Sequence, residues 1–362
     1  MSSSSVASGE WCLTWVCVHL SLEKEVFTFL LRMSCGPPTL RVLMGAVERK
    51  IWIDGALVPW ADATVHVLSH SLQRGSLVFD YLSVHATPAG DALFRLDEHI
   101  ERFLRSCELT GLRFEYDAGT IRRAVLETVR ANPGARAVKM SGYLASVEID
   151  VVAVDDRVTL AIAAYDPEVD IAARLPGGAV AKRSSVRLWI EKERKNRRAD
   201  IVPPQAKTAA NYASPMVAKA RARAAGYDEI LLVDEFGAVA EGPTTNVFLV
   251  DAAGRVLTPA ADRVLLGVTR DSVLQIAQHA GYPVAEAVVR PEDLFTAAEV
   301  FLTGTTAGVL PVESIDGEPI GGGVPGPVSA ALQARFRRIV AGEDEDFIHW
   351  LTRVDADSAM EV

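Results

Sequence analysis

The second half of the chain alternates apolar strand-like runs with helical runs, and short polar turns join some of the strands. Turns are expected at 234–237 and 251–254, and turns this short connect antiparallel neighbours. A parallel pair needs a longer crossover, for which the intervening helices are suited. The sequence therefore predicts a mixed α/β fold with a mixed sheet rather than a doubly wound one. The predicted strands lie at 180–190, 229–233, 246–250, 284–289 and 300–302, and the predicted helices at 209–225, 269–280 and 328–340.

The first part of the chain predicts a smaller α+β unit. Asp54-Gly55 stands between two short apolar runs and favours a two-residue hairpin turn. Helices are predicted from Asp97, as the N-cap, towards Gly111 and over 120–130, because apolar residues recur there at helical spacing. Two further strands are predicted at 137–144 and 158–165. The predicted organisation is an N-terminal extension at 1–46, a small α+β domain at 47–165, an interdomain linker at 166–178, a large domain at 179–354 and a tail at 355–362.

The composition excludes several classes of protein. The 362 residues suffice for about two domains, and the apolar and charged fractions of 49% and 23% argue against a disordered, collagen-like or disulfide-rich protein. The formal net charge is -10 and no basic patch stands out, so no nucleic-acid partner is expected. The early apolar stretch at 11–22 is too short for a bilayer and lacks a basic segment before it, so neither a membrane partner nor a secretory signal is expected.

The cysteines indicate a reducing compartment. Cys12, Cys17 and Cys35 lie in the first 35 residues and leave Cys107 without a partner in the rest of the chain. We therefore expect a cytoplasmic protein. The extension itself is interpreted as a disordered leader, a tag-like tail or an artefact of start-site assignment, since Met44 offers an alternative start.

A lysine and a carboxylate give the first signs of a specific chemistry. Lys207 stands among small residues in the segment PPQAKTAANY, just ahead of a predicted helix. A desolvated lysine amine is a nucleophile towards carbonyl carbons, and small neighbours leave room for a flat ligand. Glu241 follows an apolar run and opens a polar loop, and a buried carboxylate can keep a pyridine nitrogen protonated. Either residue alone is more commonly a solvated surface group.

Two glycine–threonine segments suit a phosphate group. The helix predicted from Thr269 begins directly after a glycine-valine pair, and the first amides of a helix are unpaired and lie at its positive end. The segment 303–307 follows a strand and can add amides and hydroxyls. Arg95 is a candidate phosphate ligand, or else a surface ion-pair partner of Asp97 or Glu98. A reactive lysine, a ring-nitrogen carboxylate and a split phosphate site together match the needs of pyridoxal 5'-phosphate.

With these residues in place, the chain resembles the class IV, fold-type IV pyridoxal-phosphate aminotransferases, and within them most the branched-chain amino acid aminotransferases. The resemblance runs from Lys50 to about Val354. The matching segments are 51–55 (IWIDG), 65–70 (VHVLSH), 94–99 (FRLDEH), Lys207 with Asn211-Tyr212, 226–229 (GYDE), 240–242 (AEG), 267–270 (GVTR), 303–305 (TGT) and 342–345 (GEDE). The resemblance implies a fold-type IV enzyme of two domains, a small α+β domain and a larger mixed-sheet domain that binds the cofactor.

The resemblance also implies roles for individual residues. Lys207 is the implied catalytic residue, which holds the cofactor covalently and moves a proton, with Glu241 on the pyridine nitrogen and Tyr212 on the ring hydroxyl. The implied phosphate ligands are Arg95, Val268, Thr269 and Thr305. An amino acid and a 2-oxo acid are the implied substrates, and the implied assembly is a homodimer whose active site borrows residues from the partner chain. No metal is expected, because the likeness places His66 and His70 in an extended, structural segment.

The expected substrate pocket departs from the branched-chain pattern. Arg74 stands where that family has a tyrosine, Tyr81 where it has a glycine, and 244–245 is Thr-Thr in place of Gly-Glu. Lys139 lies in the segment where the family has a tyrosine and an arginine for substrate carboxylates. We expect Tyr81 to narrow the pocket, and Arg74 or Lys139 to replace the carboxylate anchor unless both face solvent. The residues expected to contact substrate are Phe79, Arg74, Tyr81, Thr306 and Ala307.

Transamination between an aliphatic, branched-chain L-amino acid and a 2-oxo acid is the leading prediction. Because the departures lie in the region that selects the substrate, transamination of D-amino acids or (R)-amines on the same fold is the alternative. A lyase of the aminodeoxychorismate type and a cofactor-free binding protein are further alternatives.

Overall fold

The structure is a computed structural model, and it describes residues 14–22, 25–33, 48–175, 183–322 and 324–355. Met1–Val47 and Glu48–Val362 are two separate units. In the first, strands β1 (Thr14–Leu22) and β2 (Glu25–Met33) pair antiparallel, a hairpin that the sequence analysis did not predict. The remaining residues of the extension at 1–46, and all of the tail at 355–362 except its first residue, lie outside the described residues.

An antiparallel sheet dominates the first part of the second unit. Its strands are β3 (Lys50–Ile53), β4 (Ala56–Pro59), β5 (Leu77–Thr87), β6 (Gly90–Phe94), β7 (Ala137–Leu144), β8 (Val158–Tyr165) and β17 (Leu351–Arg353). Across the sheet the order is β17-β6-β5-β7-β8-β3-β4. The predicted hairpin and the strands β7 and β8 are confirmed, whereas β5 and β6 were not predicted.

Strand β5 sends alternate side chains to opposite faces of this sheet. Val78, Leu82 and Val84 are buried in the core cluster. Phe79 and Tyr81 occupy the alternate positions and are only half-buried. The second face of the sheet therefore carries the side chains that are available to a site.

Two helices cover the buried face of the sheet, α2 (Leu96–Leu109) and α3 (Ala118–Arg130), and both present apolar stripes to it. The prediction that Asp97 caps the first helix was wrong, because Asp97 lies within its first turn. The cap is Arg95, whose backbone is left-handed with φ of 50°, and whose side chain pairs with an acid in that turn. The helix thus begins earlier than predicted.

The second sheet is mixed, as predicted. Its strands are β9 (Val186–Glu191), β10 (Glu229–Leu232), β11 (Asn246–Val250), β12 (Val256–Pro259), β13 (Val284–Ala287), β14 (Glu299–Gly304), β15 (Gly308–Ile315) and the short β16 (Glu318–Pro319). The order is β10-β9-β15-β14-β11-β12-β13, with β16 beside β15. Parallel pairs join β9 to β10 and β15, and β12 to β13, while the other neighbours are antiparallel.

The remaining helices are α1 (His70–Arg74), α4 (Ala213–Ala224), α5 (Val268–His279), α6 (Pro291–Thr296) and α7 (Pro327–Val340). Helices α5 and α7 pack on the second sheet, where the rings of Phe248 and Phe301 stack 5.1 Å apart. The helix predicted at 209–225 is divided, since a 3₁₀ turn at Ala209–Tyr212 precedes α4. The main chain just before this turn is bonded to β5, which delays the start of the α-helix.

The end of the chain returns to the first sheet, because β17 pairs with β6. The predicted linker contains two short helical turns, Pro167–Ile171 and Ala172–Arg174, before the described residues stop at 175. Its role as a domain boundary stays a prediction. Among the residues that the structure describes, no helix combines the length and the apolar character needed to span a bilayer.

Candidate active site

Backbone hydrogen bonds fix the position of Lys207. Its amide donates to Ser106 Oγ on α2 at 3.1 Å, and its carbonyl accepts from the amide of Phe79 on β5 at 3.0 Å. The next residue, Thr208, forms a bridge with Val78. Lys207 is therefore held against the first sheet, although it belongs to the part of the chain that builds the second.

The amino group of Lys207 lies among aromatic rings. Its Nζ donates to the hydroxyl of Tyr212 at 3.0 Å and lies 5.0 Å from the centre of the Phe79 ring. Lys139 Nζ lies 4.6 Å from the centre of the same ring. Among the described residues Lys139 has no hydrogen-bond or ion-pair partner, and burial together with the charge of Lys207 lowers its pKa. Two amino groups that both contact the Phe79 ring favour an anionic ligand at this place.

Glu241 is held by one of its two carboxylate oxygens. Oε2 accepts from Asn246 Nδ2 at 3.2 Å and from the amide of Leu265 at 3.1 Å. Oε1 is buried and has no hydrogen-bond partner, and the nearest cation, Arg197 Nη1, lies 3.4 Å away. Burial raises the pKa of the carboxyl, an effect that Arg197 opposes. A buried oxygen without a partner on a cavity wall suits a ligand that carries an N–H group, such as a protonated pyridine.

Lys207 and Glu241 line one cavity. The N-terminus of α5, where the sequence analysis predicts a phosphate site, lines it through Gly267, Val268 and Thr269. Gly304 and Thr305 line it from the end of β14. The remaining residues of its wall are Arg102, Arg197, Gly242, Pro243, Thr244, Thr245, Asn246, Leu265 and Thr303.

Two hydroxyls on this wall support an anion-binding role. Thr245 Oγ1 and Thr303 Oγ1 are buried and have no hydrogen-bond partner. Gly267 must lack a side chain, because a Cβ there would lie 2.1 Å from Asn246 Oδ1. The unpaired hydroxyls and the close helix terminus fit a phosphate, while the free oxygen of Glu241 fits the ring nitrogen, so the residues present fit pyridoxal 5'-phosphate.

Arg95 lies elsewhere. Its guanidinium bonds to Glu98 at 2.7 Å, to Asp271 at 2.6 Å and to Ser272 at 3.0 Å, and it stacks on the ring of Trp350. Of the two roles considered for it, the ion pair with Glu98 is the one that the structure contains. Arg95 is not part of the cavity wall described above.

Two arginines, Arg102 and Arg197, do line the cavity, and Arg102 lies further along α2 than Arg95. Its Nε and Nη2 both bond to the buried carboxylate of Asp80 at 2.8 Å, and its Nη1 donates to the carbonyl of Leu266 at 3.2 Å, next to the start of α5. His99 Nδ1 lies 2.7 Å from the same carboxylate. Burial would raise the pKa of Asp80, but Arg102 and His99 hold it well below its usual range.

A second cavity adjoins the first and contains most of the expected substrate residues. Phe79, Tyr81, Thr306 and Ala307 line it together with Lys207. Its other lining residues are Lys139, Tyr165, Tyr212, Thr244, Thr245, Gly304 and Thr305.

Tyr81, which is expected to narrow the pocket, lines this second cavity. It lies directly opposite Lys139 on the neighbouring strand, and Thr306 lines the same cavity. Burial raises the pKa of Tyr81, and burial likewise raises that of Tyr165 to about 12. Both tyrosines are therefore neutral hydrogen-bonding groups in the pocket at neutral pH.

Arg74 does not reach either cavity within this chain. Its guanidinium donates to the carbonyl of Ile149. His66 precedes α1 and accepts from the amide of Leu68. The expectation of an extended segment was wrong for His70, which is the first residue of α1 and lies between Ser76 Oγ and a backbone carbonyl. The described residues contain no cluster of three or more His, Cys, Asp or Glu side chains arranged to hold a metal.

Several residues of the site were not predicted, chiefly Arg102, Asp80 and Arg197. One signal was available for the first, because Arg102 and His99 stand among the apolar positions of α2, and a charged residue on a buried helix face is unusual. Asp80 interrupts the apolar positions of β5 in the same way. The segment around Arg197 carried no such pattern.

Comparison with known proteins agrees with this geometry. The model of the family described as amino-transferase class IV matches residues 77–315. The branched-chain-amino-acid aminotransferase of Pseudomonas aeruginosa is 32% identical over 305 residues, which are 84% of this chain and 97% of that protein. The protein of the same name from Escherichia coli K12 is 32% identical over 311 residues, again 84% of this chain and 97% of that protein.

Solved structures give the same result. The branched-chain amino acid aminotransferase of Escherichia coli superposes with a TM-score of 0.78 at 30% identity and covers 85% of this chain and 100% of its own. The branched-chain aminotransferase of Thermoproteus uzoniensis with norvaline has a TM-score of 0.76 at 34% identity and covers 84% and 99%. The branched-chain amino acid aminotransferase of Thermobaculum terrenum, solved in its PLP-form, has a TM-score of 0.76 at 29% identity and covers 85% and 98%.

Proposed function

The chain belongs to the class IV aminotransferase family, and from this premise we propose that it uses pyridoxal 5'-phosphate to transfer an amino group between branched-chain L-amino acids and a 2-oxo acid. One observation carries the proposal. Lys207 and Glu241, whose Oε1 accepts no hydrogen bond, line a single cavity together with a helix N-terminus. That arrangement supplies a nucleophilic amine, a partner for a pyridine nitrogen and an anion site in one place.

Each end of the proposed cofactor has its own protein groups. Bound pyridoxal 5'-phosphate supplies the electron sink for the reaction. Lys207 holds it and moves the proton, Glu241 accepts a hydrogen bond from its ring nitrogen, and Tyr212, already bonded to Lys207 Nζ, contacts its ring hydroxyl. We propose Arg102 in place of Arg95 as the arginine of the phosphate site, because Arg102 is on the cavity wall. The other proposed phosphate ligands are Val268, Thr269 and Thr305.

The second cavity is the proposed substrate pocket. The rings of Phe79, Tyr81 and Tyr165 give it apolar walls suited to an aliphatic side chain. Lys139 is the proposed carboxylate anchor, since it lines this pocket and, apart from its contact with the Phe79 ring, has no hydrogen-bond or ion-pair partner among the described residues. Arg74 is not the proposed anchor, because its guanidinium donates a hydrogen bond to a backbone carbonyl. Thr306 and Ala307 complete the proposed contacts.

We also propose that the chain forms a homodimer. Aliphatic side chains in the segments 65–72 and 147–154 are exposed, and exposed apolar side chains concentrated in this way are typical of an interface. The two segments are joined by a bridge between Ser69 and Val147. Arg74 bonds to the second segment, which places it beside the proposed interface rather than in this chain's own site. A cytoplasmic location remains part of the proposal.

A second substrate class stays in consideration. Of the residues in which the chain departs from the branched-chain pattern, Tyr81, Lys139 and Thr244-Thr245 line the proposed pocket, whereas Arg74 does not. Substitutions in a substrate pocket change which substrates are accepted, so selectivity for D-amino acids or (R)-amines is the second candidate.

A panel of half-reactions tests the proposal. Purified protein is mixed with pyridoxal 5'-phosphate, and the absorption of the bound cofactor is followed after addition of L-leucine, L-valine, D-alanine or an (R)-amine. We expect rapid conversion with the branched-chain L-amino acids, and borohydride reduction should attach the cofactor to Lys207. Conversion only with the D-amino acid or the amine would select the second substrate class. Failure of the wild type to bind the cofactor would contradict the proposal as a whole.

A further inference from the structure

The guanidinium of Arg197 lies between two groups of the proposed cofactor site. Its Nη1 is 3.4 Å from Glu241 Oε1, and its Cζ is 5.5 Å from the centre of the Tyr212 ring. The side chain is only 6% exposed, and Nη1 also donates to the carbonyl of Pro204 at 3.1 Å. None of the cofactor contacts proposed above uses this arginine.

The positive charge of Arg197 lies beside Oε1, the carboxylate oxygen of Glu241 that accepts no hydrogen bond. Oε2 of Glu241 is engaged by two N–H groups, whereas Oε1 has none. A buried carboxyl without a nearby cation tends to take up a proton, and a protonated Glu241 could no longer accept a hydrogen bond at that oxygen from a pyridinium. The groups that face this carboxyl are Arg197, Lys207, the side-chain amides of Asn196 and Asn246, and the amide of Leu265.

We propose that Arg197 is a positioning residue for Glu241, a fixed positive charge that keeps Oε1 ionised and able to accept a hydrogen bond from the ring nitrogen of the cofactor. With Arg197 present, the proton stays on the ring nitrogen and the negative charge on Glu241. Without it, the carboxyl competes for that proton and the ring nitrogen becomes neutral. Burial raises the pKa of Glu241, and Arg197 is the foremost of the opposing influences. The inference rests on the proposed function.

The adjacent arginine provides a matched control. Arg198 is half exposed, and it pairs with Asp200 and Glu235 outside the cavity. Replacing Arg198 with Met removes the same charge and a similar volume at the neighbouring position. Any effect of general charge or of the loop itself would therefore be seen in both variants.

The test compares Arg197→Met, Arg197→Gln, Arg197→Lys and Arg198→Met in the full chain. Two quantities are measured: the Kd of the apoprotein for pyridoxal 5'-phosphate, and the absorption of the bound cofactor as a function of pH. We expect the neutral variants to shift the pH midpoint of the absorption change by about 1 unit or more, as the loss of an opposite charge at this distance would, and to bind the cofactor more weakly. Arg197→Lys should restore most of the midpoint, and Arg198→Met should match the wild type.

The outcomes separate this inference from the proposed function. If the wild type and Arg198→Met bind the cofactor, and either neutral Arg197 variant titrates with the wild-type midpoint, the role of Arg197 is refuted while the proposed function stands. If the wild type itself binds no cofactor, the proposed function fails first. Two neutral variants are included so that misfolding of one leaves the other to decide.

Discussion

The backbone of Gly267 lies directly against the side-chain amide of Asn246, and this contact connects the two ends of the site. A Cβ at Gly267 would be 2.1 Å from Asn246 Oδ1, and Nδ2 of the same amide bonds to Glu241. Gly267 is also the residue that precedes α5, where the phosphate is proposed to bind. The contact between these two residues therefore sets the distance between Glu241, the proposed partner of the ring nitrogen, and the proposed phosphate site at the start of α5.

The first prediction concerns this contact. Gly267→Ala should weaken the binding of pyridoxal 5'-phosphate by about tenfold or more, because the amide of Asn246 must move and Glu241 with it. The φ of Gly267 is −66°, so the added methyl group acts through the clash and not through backbone strain. Titration of the apoprotein with the cofactor measures the effect. Gly322→Ala is the control, because nothing lies within 4 Å of a Cβ there, and an equal effect of both variants would contradict the prediction.

The local residue patterns of this chain predicted the cofactor end of the site better than its arginines. Lys207 and Glu241 lie in loops whose small or polar neighbours mark them in the sequence, and the structure brings them to one cavity. Whether Arg95 or Arg102 lies on the cavity wall depends instead on two features: the residue at which α2 begins, and the bond between Arg102 and Asp80. Asp80 lies on a strand that was not predicted, so this relationship between distant residues had no local signal.

The fold shows the same division between local and distant information. Strands β7 and β8 and the mixed character of the second sheet follow from local patterns, and the structure confirms them. Strand β5 was missed because its alternation is interrupted by the buried Asp80, which serves Arg102 and His99 and not the apolar core. The pairing of β17 with β6 joins residues far apart in the chain, and no local pattern specifies such a partner.

The second prediction separates the two arginines. Arg102→Met should lower the affinity for pyridoxal 5'-phosphate by about tenfold or more, because it removes a charged group from the cavity wall. Arg95→Met should leave that affinity within about threefold and act mainly on stability, since Arg95 bonds to Glu98 and Asp271. Both values come from the same titration, accompanied by thermal unfolding. A larger loss of affinity in the Arg95 variant would return the phosphate role to Arg95.

The third prediction concerns the substrate carboxylate. Lys139→Met should raise KM for the 2-oxo acid by about tenfold with a smaller effect on kcat, because the unpartnered ammonium lines the proposed substrate pocket. Arg74→Met should leave KM unchanged, since its guanidinium is bonded to a backbone carbonyl and lines neither cavity of this chain. Steady-state kinetics measures both. An unchanged KM in Lys139→Met would show that Lys139 does not bind the substrate carboxylate.

The fourth prediction concerns pocket size. Tyr81→Ala should raise kcat/KM for bulky side chains relative to alanine, because the side chain of Tyr81 forms part of the wall of the proposed pocket. Tyr81→Phe keeps the volume and removes only the hydroxyl, so its size preference should stay that of the wild type. The ratio of kcat/KM for L-phenylalanine and L-alanine is the measurement, and equal ratios in the wild type and Tyr81→Ala would show that Tyr81 does not limit the pocket.

The last prediction concerns acid stability and His85 on β5. Burial, with a contribution from Arg136, lowers the pKa of His85 from 6.5 to about 4. The unfolded chain therefore binds a proton at a pH where the folded protein does not, so the stabilising contribution is complete above pH 6.5 and is lost as the pH falls towards 4. The free energy of unfolding should decrease over this interval by up to about 3 kcal/mol because of this residue. In His85→Gln that part of the decrease should disappear, while the contributions of His99 and Asp80 remain in both proteins. Urea unfolding at a series of pH values measures the free energy of unfolding of both proteins. If that free energy falls equally with pH in the wild type and in His85→Gln, the pKa of His85 is not lowered in the folded protein.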